Sequence, residues 1–139
     1  MDRVFLDANV LFSAAHATDN CFLELWHRKN IQLLTSEYAV QETGRNLTGV
    51  ERLKRLKRLL EAMEIVPCRT AHPPPDAPLG VVLPPKDRPI LVAAVNAQAT
   101  HLLTGDRRHF GKYYGKRVCG VLIQPPAQYL GHKARPKGA

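Results

Sequence analysis

The sequence predicts an α/β fold: parallel strands alternating with helices that cover both faces of the sheet. Three observations lead there. The first apolar run, Val4-Phe5-Leu6, is continuous rather than alternating, as in a strand buried on both faces. Short apolar runs of the same kind recur at 31–34, 65–66, 101–103 and 118–123. Segments with helical apolar spacing separate them, so the pattern is strand, helix, strand.

The elements follow in order. Residues 3–7 form the first strand. Residues 8–28 are helical with a break near 16–20, and Phe22, Leu23, Leu25 and Trp26 supply an apolar stripe that assigns Trp26 to the core. The second strand is 31–34. Ser36 caps the next helix and Glu37 complements its dipole, with the end near residue 47. A further helix over 50–64 carries Val50, Leu53, Leu56, Leu60 and Met63 on one face. Its other face is Arg52, Lys54, Arg55, Lys57 and Arg58, the pattern of a solvated basic face. Residues 65–66 make a short third strand.

Residues 67–89 change character, holding eight of the chain's eleven prolines. So long a connection is unusual inside a domain. It reads as a surface loop anchored by Val81-Val82-Leu83, or as a boundary between two halves, although neither half has enough core to stand alone. A helix starts at Asp87, with Pro89 in its first turn, where a missing N–H costs little. Residues 90–97 are apolar nearly all round, which predicts deep burial. The fourth strand, 101–103, ends in Thr104-Gly105-Asp106. The fifth is 118–123, and 125–130 forms a last short helix. Residues 1–131 are expected to be a single domain, and 132–139 a basic, fraying tail.

Composition narrows the function classes. Twenty Lys plus Arg against twelve Asp plus Glu give a net charge of +8, which favours polyanions such as nucleic acid, or an acidic partner. No run approaches the ~20 apolar residues needed to span a bilayer. The N-terminus has no signal-peptide core, so the expected location is cytoplasmic, with no membrane partner. Cys21, Cys68 and Cys119 are odd in number and lack metal-ligand spacing, which predicts reduced, mostly buried thiols.

The acids are more telling than the totals. Asp7 closes the first strand and Asp106 follows the fourth. Should those strands be neighbours, their ends lie ~5 Å apart. Glu42 sits six residues into the helix after strand two, ~9 Å along its axis. Asp87 starts the helix that leads into strand four. Each has a local alternative: Asp7 and Asp87 as helix caps, Asp106 in an Asx turn, Glu42 paired to Arg45 or Asn46. Together at the carboxyl edge of one sheet, four carboxylates repel unless a cation lies among them. An all-oxygen, open site suits Mg²⁺ or Mn²⁺.

The stretches that carry these acids are V-F-L-D-A-N-V-L, the Glu of Y-A-V-Q-E, the Asp of K-D-R-P-I-L-V-A-A-V, and L-L-T-G-D-R-R-H-F. In this combination the chain resembles a PIN-domain ribonuclease, including the VapC-type toxins of toxin–antitoxin pairs, over residues 1–130. The resemblance implies a three-layer α/β/α sandwich with parallel strands ordered 3-2-1-4-5. It implies catalytic, metal-binding roles for Asp7, Glu42, Asp87 and Asp106, and accessory roles for Asn9 and Thr104. It also implies Mg²⁺ or Mn²⁺ as cofactor, RNA as substrate, an antitoxin as partner and a tendency to homodimerise.

The expected activity is therefore metal-dependent endoribonuclease hydrolysis of phosphodiester bonds. Arg107 and Arg108, directly after the last carboxylate, are the expected substrate contacts, with Lys112 and Lys116 behind. His109 is read as structural or exposed. The alternative class is a catalytically inactive module of the same fold that binds nucleic acid or protein, which the +8 charge would serve equally well.

Overall fold

Strand β1 (Asp2–Leu6) occupies the middle of the sheet, and the sequence explains why. Successive strand side chains point to opposite faces, yet Val4, Phe5 and Leu6 are all fully buried, so both faces are covered. The computed structural model describes residues 1–67 and 80–131. Besides β1 the strands are β2 (Ile31–Ser36), β3 (Glu64–Val66), β4 (His101–Leu103), β5 (Arg117–Val118) and β6 (Val121–Gln124).

Their order is β3-β2-β1-β4-β6-β5. Strands β3, β2, β1, β4 and β6 are parallel, with Val4 opposite both Leu33 and His101. This is the expected 3-2-1-4-5 order, with β6 in the fifth place. The addition is β5, paired antiparallel to β6 as an edge hairpin. Residues 118–123 thus are not one strand. Cys119 and Gly120 turn the chain with φ of 51° and 87°, a conformation suited to a two-residue hairpin turn. A cysteine inside an apolar run hid it.

Helix α1 (Ala8–His16) follows β1 and packs on α2 (Glu37–Asn46) and α3 (Val50–Glu61). A 3-10 segment, Cys21–His27, follows the expected break, and Asn20 caps it. Trp26 packs against the core and donates to the carbonyl of Leu59. Ser36 caps α2 by accepting from the N–H of Ala39.

Helix α3 departs from the amphipathic reading. Leu56 is buried, and Leu59, Leu60 and Met63 pack against the core, but Val50 and Leu53 are exposed. Only the later turns of the helix reach the core. Its basic face is not wholly solvated either. Arg55 donates to the carbonyls of Ala15 and His16, and Arg52 to that of His16, so both serve the C-terminal turn of α1.

Helix α4 (Arg88–Asn96) buries Ile90, Leu91 and Ala94, whereas Val92, Ala93 and Val95 are only partly covered. Its burial is one stripe rather than the full circumference. Two short helices, α5 (Arg107–Phe110) and α6 (Pro126–Leu130), complete the described chain; α5 was not anticipated, and Phe110 pins it to the core. Within the proline-rich segment Leu83 is buried and Val81 packs against the core, while Val82 is exposed. Most of that segment, 68–79, and the tail 132–139 lie outside the described residues. Cys21 and Cys119 are exposed, contrary to the expectation of buried thiols, because one opens a 3-10 turn and the other sits in a hairpin turn.

Candidate functional site

Parallel pairing brings the carboxyl ends of β1, β2 and β4 to one edge, and the acids gather there. Asp7 leaves β1 as the N-cap of α1, its Oδ1 accepting from the N–H of Ala8 at 2.6 Å. The local capping role and the site role therefore coexist in one side chain. Its Oδ2 accepts from the Thr104 hydroxyl at 2.8 Å and from Asn9 Nδ2 at 3.2 Å. Thr104 is fully buried where β4 ends, and its hydroxyl also accepts from the N–H of Asp106. Asn9 turns its Oδ1 to the N–H of Gly105 at 2.8 Å. Asn9 and Thr104 thus tie the start of α1 to the Thr104-Gly105-Asp106 turn, with Asp7 at the centre.

Burial raises the Asp7 carboxyl to about 6, outweighing the hydrogen bonds from Thr104 and Ala8, and the charges of Glu42 and Asp87 push the same way. Those two acids complete the crowd. Glu42 is half-buried on α2; burial raises its pKa, and the nearby Asp87 adds to the effect. Tyr38, one turn earlier on α2, donates to the carbonyl of Lys86 at 2.7 Å and so draws the residue before Asp87 toward Glu42. Tyr113 holds the same strap further back: its hydroxyl accepts from the N–H of Val82 and donates to its carbonyl.

Asp87 is buried at the start of α4, and its pKa is raised by burial first, with His109 opposing and Asp106 adding to the rise. The group that joins it to Asp106 is His109. Its Nδ1 lies 2.9 Å from Asp106 Oδ2 and 3.0 Å from Asp87 Oδ2. Asp106 accepts the ring's hydrogen bond and that of the His109 backbone N–H, while the buried Asp87 Oδ2 makes no hydrogen bond and faces the ring at ion-pair distance. His109 is thus half-buried and bonded to Asp106 rather than exposed. The signal for it was its place three residues after Asp106, on the first turn of a helix that the sequence reading lacked.

The structure brings all the expected acids to one edge, in two tiers. Among the described residues, Asp87, Asp106 and His109 place their ligand atoms within 4.8 Å of one another. Asp7 and Glu42 stand outside that set, coupled to Asp87 by charge. The donor set fits a divalent cation. A buried carboxylate oxygen without a hydrogen bond is costly, and oxygen donors with one imidazole are suitable ligands.

Arg107 and Arg108 are exposed at the rim. Beside the acids runs a cavity of about 520 Å³ lined by Asn9, Phe22, Asp106, Arg107, Tyr114 and Pro126, among others. Tyr114, one of the lining residues, donates its hydroxyl to the carbonyl of Thr104.

The sequence pattern of the PIN domain matches residues 3–108. This chain belongs to the PIN-domain family. Solved structures share the PIN fold at low identity. VapBC2 from Rickettsia felis, solved with a DNA fragment from its promoter, superposes with a TM-score of 0.65 at 18% identity, covering 88% of this chain and 98% of that one. FitAcB from Neisseria gonorrhoeae gives 0.57 at 19%, with 88% and 97% covered. VapC20 from Mycobacterium tuberculosis, described as a sarcin-ricin loop cleaving toxin, gives 0.54 at 15%, with 74% and 91% covered. No curated protein sequence matches the chain. Among the described residues, no helix of this PIN domain is long and apolar enough to cross a membrane.

Proposed function

We propose that this PIN domain is a metal-dependent endoribonuclease of the VapC type, the toxin of a toxin–antitoxin pair. The observation that carries the reading is the convergence of Asp87, Asp106 and His109 within 4.8 Å, with the buried Asp87 Oδ2 lacking a hydrogen bond. Such a constellation is unfavourable by itself and becomes favourable around a divalent cation. The likeness to VapBC2, VapC20 and FitAcB supports the toxin class and an antitoxin partner.

Asp87 and Asp106 would hold Mg²⁺ or Mn²⁺, with Asp7 and Glu42 completing the negative field. A divalent ion bound there supplies activation of the attacking water and neutralisation of charge developing on the phosphate. The chain's own residues do the rest. Thr104 and Asn9 fix the Asp7 carboxylate in one orientation. Arg107 and Arg108 take the flanking phosphates of the strand, where guanidinium geometry matches phosphate oxygens. No covalent intermediate is invoked, because hydrolysis by an oriented water needs none.

The test is incubation with a pool of cellular RNAs in Mg²⁺, Mn²⁺ or EDTA, for the wild type and Asp106→Asn, with the cut ends mapped. Discrete cuts that need the ion and vanish in the variant are expected. Cleavage that survives EDTA would reject the metal reading, and no cleavage under any condition would favour an inactive binding module. Purification from the native host should also yield a small companion protein that suppresses cutting.

A further inference from the structure

We propose that His109 is itself a metal ligand and makes this a mixed nitrogen–oxygen site, one that prefers a first-row transition ion such as Mn²⁺ to Mg²⁺. The inference rests on the reading of the acids as a divalent-metal site and adds the ligand that sets its selectivity.

The geometry comes first. Adjacent ligands around an octahedral ion with bonds of ~2.1 Å stand ~3 Å apart. His109 Nδ1 lies 2.9 Å from Asp106 Oδ2 and 3.0 Å from Asp87 Oδ2, the spacing of neighbouring ligands. The Asp87 oxygen involved is the buried one without a hydrogen bond. An imidazolium between the two carboxylates accounts for the spacing by charge but still leaves the Asp87 oxygen without a hydrogen bond. A cation shared by all three atoms accounts for both.

The backbone supports the placement. Asp106 caps α5 by accepting from the His109 N–H, which fixes the imidazole over its own carboxylate. Phe110, the next residue, is fully buried and anchors the turn. The ring is a neighbour that the fold holds in place.

The chemistry then sets the preference. Mg²⁺ is a hard ion that favours oxygen and gives up water reluctantly. Imidazole nitrogen shifts a site toward transition ions. The neutral ring offers Nδ1 as ligand when its hydrogen is on Nε2, and any proton on Nδ1 leaves as the ion binds.

The experiment uses the full chain with one equivalent of Mn²⁺ and pulsed EPR. A ¹⁴N modulation from a directly bound nitrogen is expected. It should disappear when histidine alone is replaced by its ¹⁵N form, a control that needs no mutation. Asp106→Asn should abolish tight Mn²⁺ binding. In His109→Asn, with folding verified by circular dichroism, the ratio of Mn²⁺ to Mg²⁺ affinity should fall about tenfold while Mg²⁺ affinity shifts less than threefold. Bound Mn²⁺ with no ¹⁴N modulation would overturn the proposal and leave the nuclease reading standing. Conversely, RNA cleavage that persists in EDTA would overturn metal dependence of the nuclease, while the nitrogen signal still decides the role of His109.

Discussion

A single hydroxyl, that of Thr104, connects the two halves of the site. It donates to Asp7, accepts from the N–H of Asp106 and meets Asn9 Nδ2. Thr104→Val keeps the shape and removes every one of these bonds, leaving the Asp106 N–H unsatisfied and Asp7 Oδ2 with only the longer bond from Asn9. An unsatisfied group of this kind costs ~1–3 kcal/mol. The variant should lose that order of stability in urea unfolding and most of its nuclease activity, and Thr104→Ser should recover most of both. Asp7 gives a prediction of opposite sense to the usual carboxylate. Its folded pKa, about 6, lies above the ordinary 3.8, so the fold favours the protonated form. Its contribution is fully present below pH ~4, declines as pH rises toward 6 and is lost above it. Two units correspond to about 3 kcal/mol. In EDTA, the unfolding free energy of the wild type relative to Asp7→Asn should therefore fall by about that much between pH 4 and pH 7. Using the difference removes the constant offset of an amide facing Asn9. A difference that is flat with pH would mean Asp7 is not desolvated. Adding Mn²⁺ should reverse the trend, because the ion binds the ionised site.

At the scale of elements, the feature to explain is how a carboxylate at the end of a proline-rich connection is held in register with three others. The strap over 80–86 is held from both sides by phenols. Tyr38 on α2 takes the Lys86 carbonyl, and Tyr113, just after α5, takes both backbone groups of Val82. The double variant Tyr38→Phe, Tyr113→Phe keeps both rings and removes three hydrogen bonds to the strap. Net stability should fall by only ~1–3 kcal/mol, since these bonds are partly exposed. Mn²⁺ affinity should fall about tenfold, because Asp87 is no longer held in place. Unchanged affinity would show that α4 positions Asp87 unaided. Neither phenol was visible in the sequence, since each contact spans tens of residues and depends on a path that no local pattern encodes. What was legible was local: continuous apolar runs at β1, β2 and β4, the Ser36 cap, the proline opening α4, and an acid after each inner strand or on the helix that follows. What was not legible depended on the tertiary context. Cys119 in a positive-φ turn split the fifth strand. The apolar stripe of α3 overran the part of the helix that reaches the core, leaving Val50 and Leu53 outside. His109 needed α5, a helix of four residues and too short for periodicity to reveal.

For the whole molecule, the acids and the cations pull in opposite directions. A chain of net charge +8 concentrates carboxylates at one edge of its sheet, so the field that draws in a polyanion is positive while the point of reaction is negative. Without a cation, the scissile phosphate would be repelled by the residues proposed to act on it. Binding strength must then come from the rim. Two basic surfaces compete for that role: Arg107 and Arg108 beside the acids, and Lys54, Lys57 and Arg58 on α3. Arg52 and Arg55, which belong to the second surface by sequence, are already engaged with α1 carbonyls, which thins it. The first is adjacent to Asp106 and the cavity, so it should carry the phosphate contacts. Each phosphate neutralised on a single strand contributes ~0.7 to the slope of log affinity against log salt. In an Asp106→Asn background, which prevents cutting, Arg107→Ala with Arg108→Ala should reduce that slope by about 1.4 for a short single-stranded RNA. Lys54→Ala with Lys57→Ala should leave it unchanged. If the lysine pair lowers the slope and the arginine pair does not, the strand crosses α3 and the rim assignment is wrong, even if the acids cut as proposed.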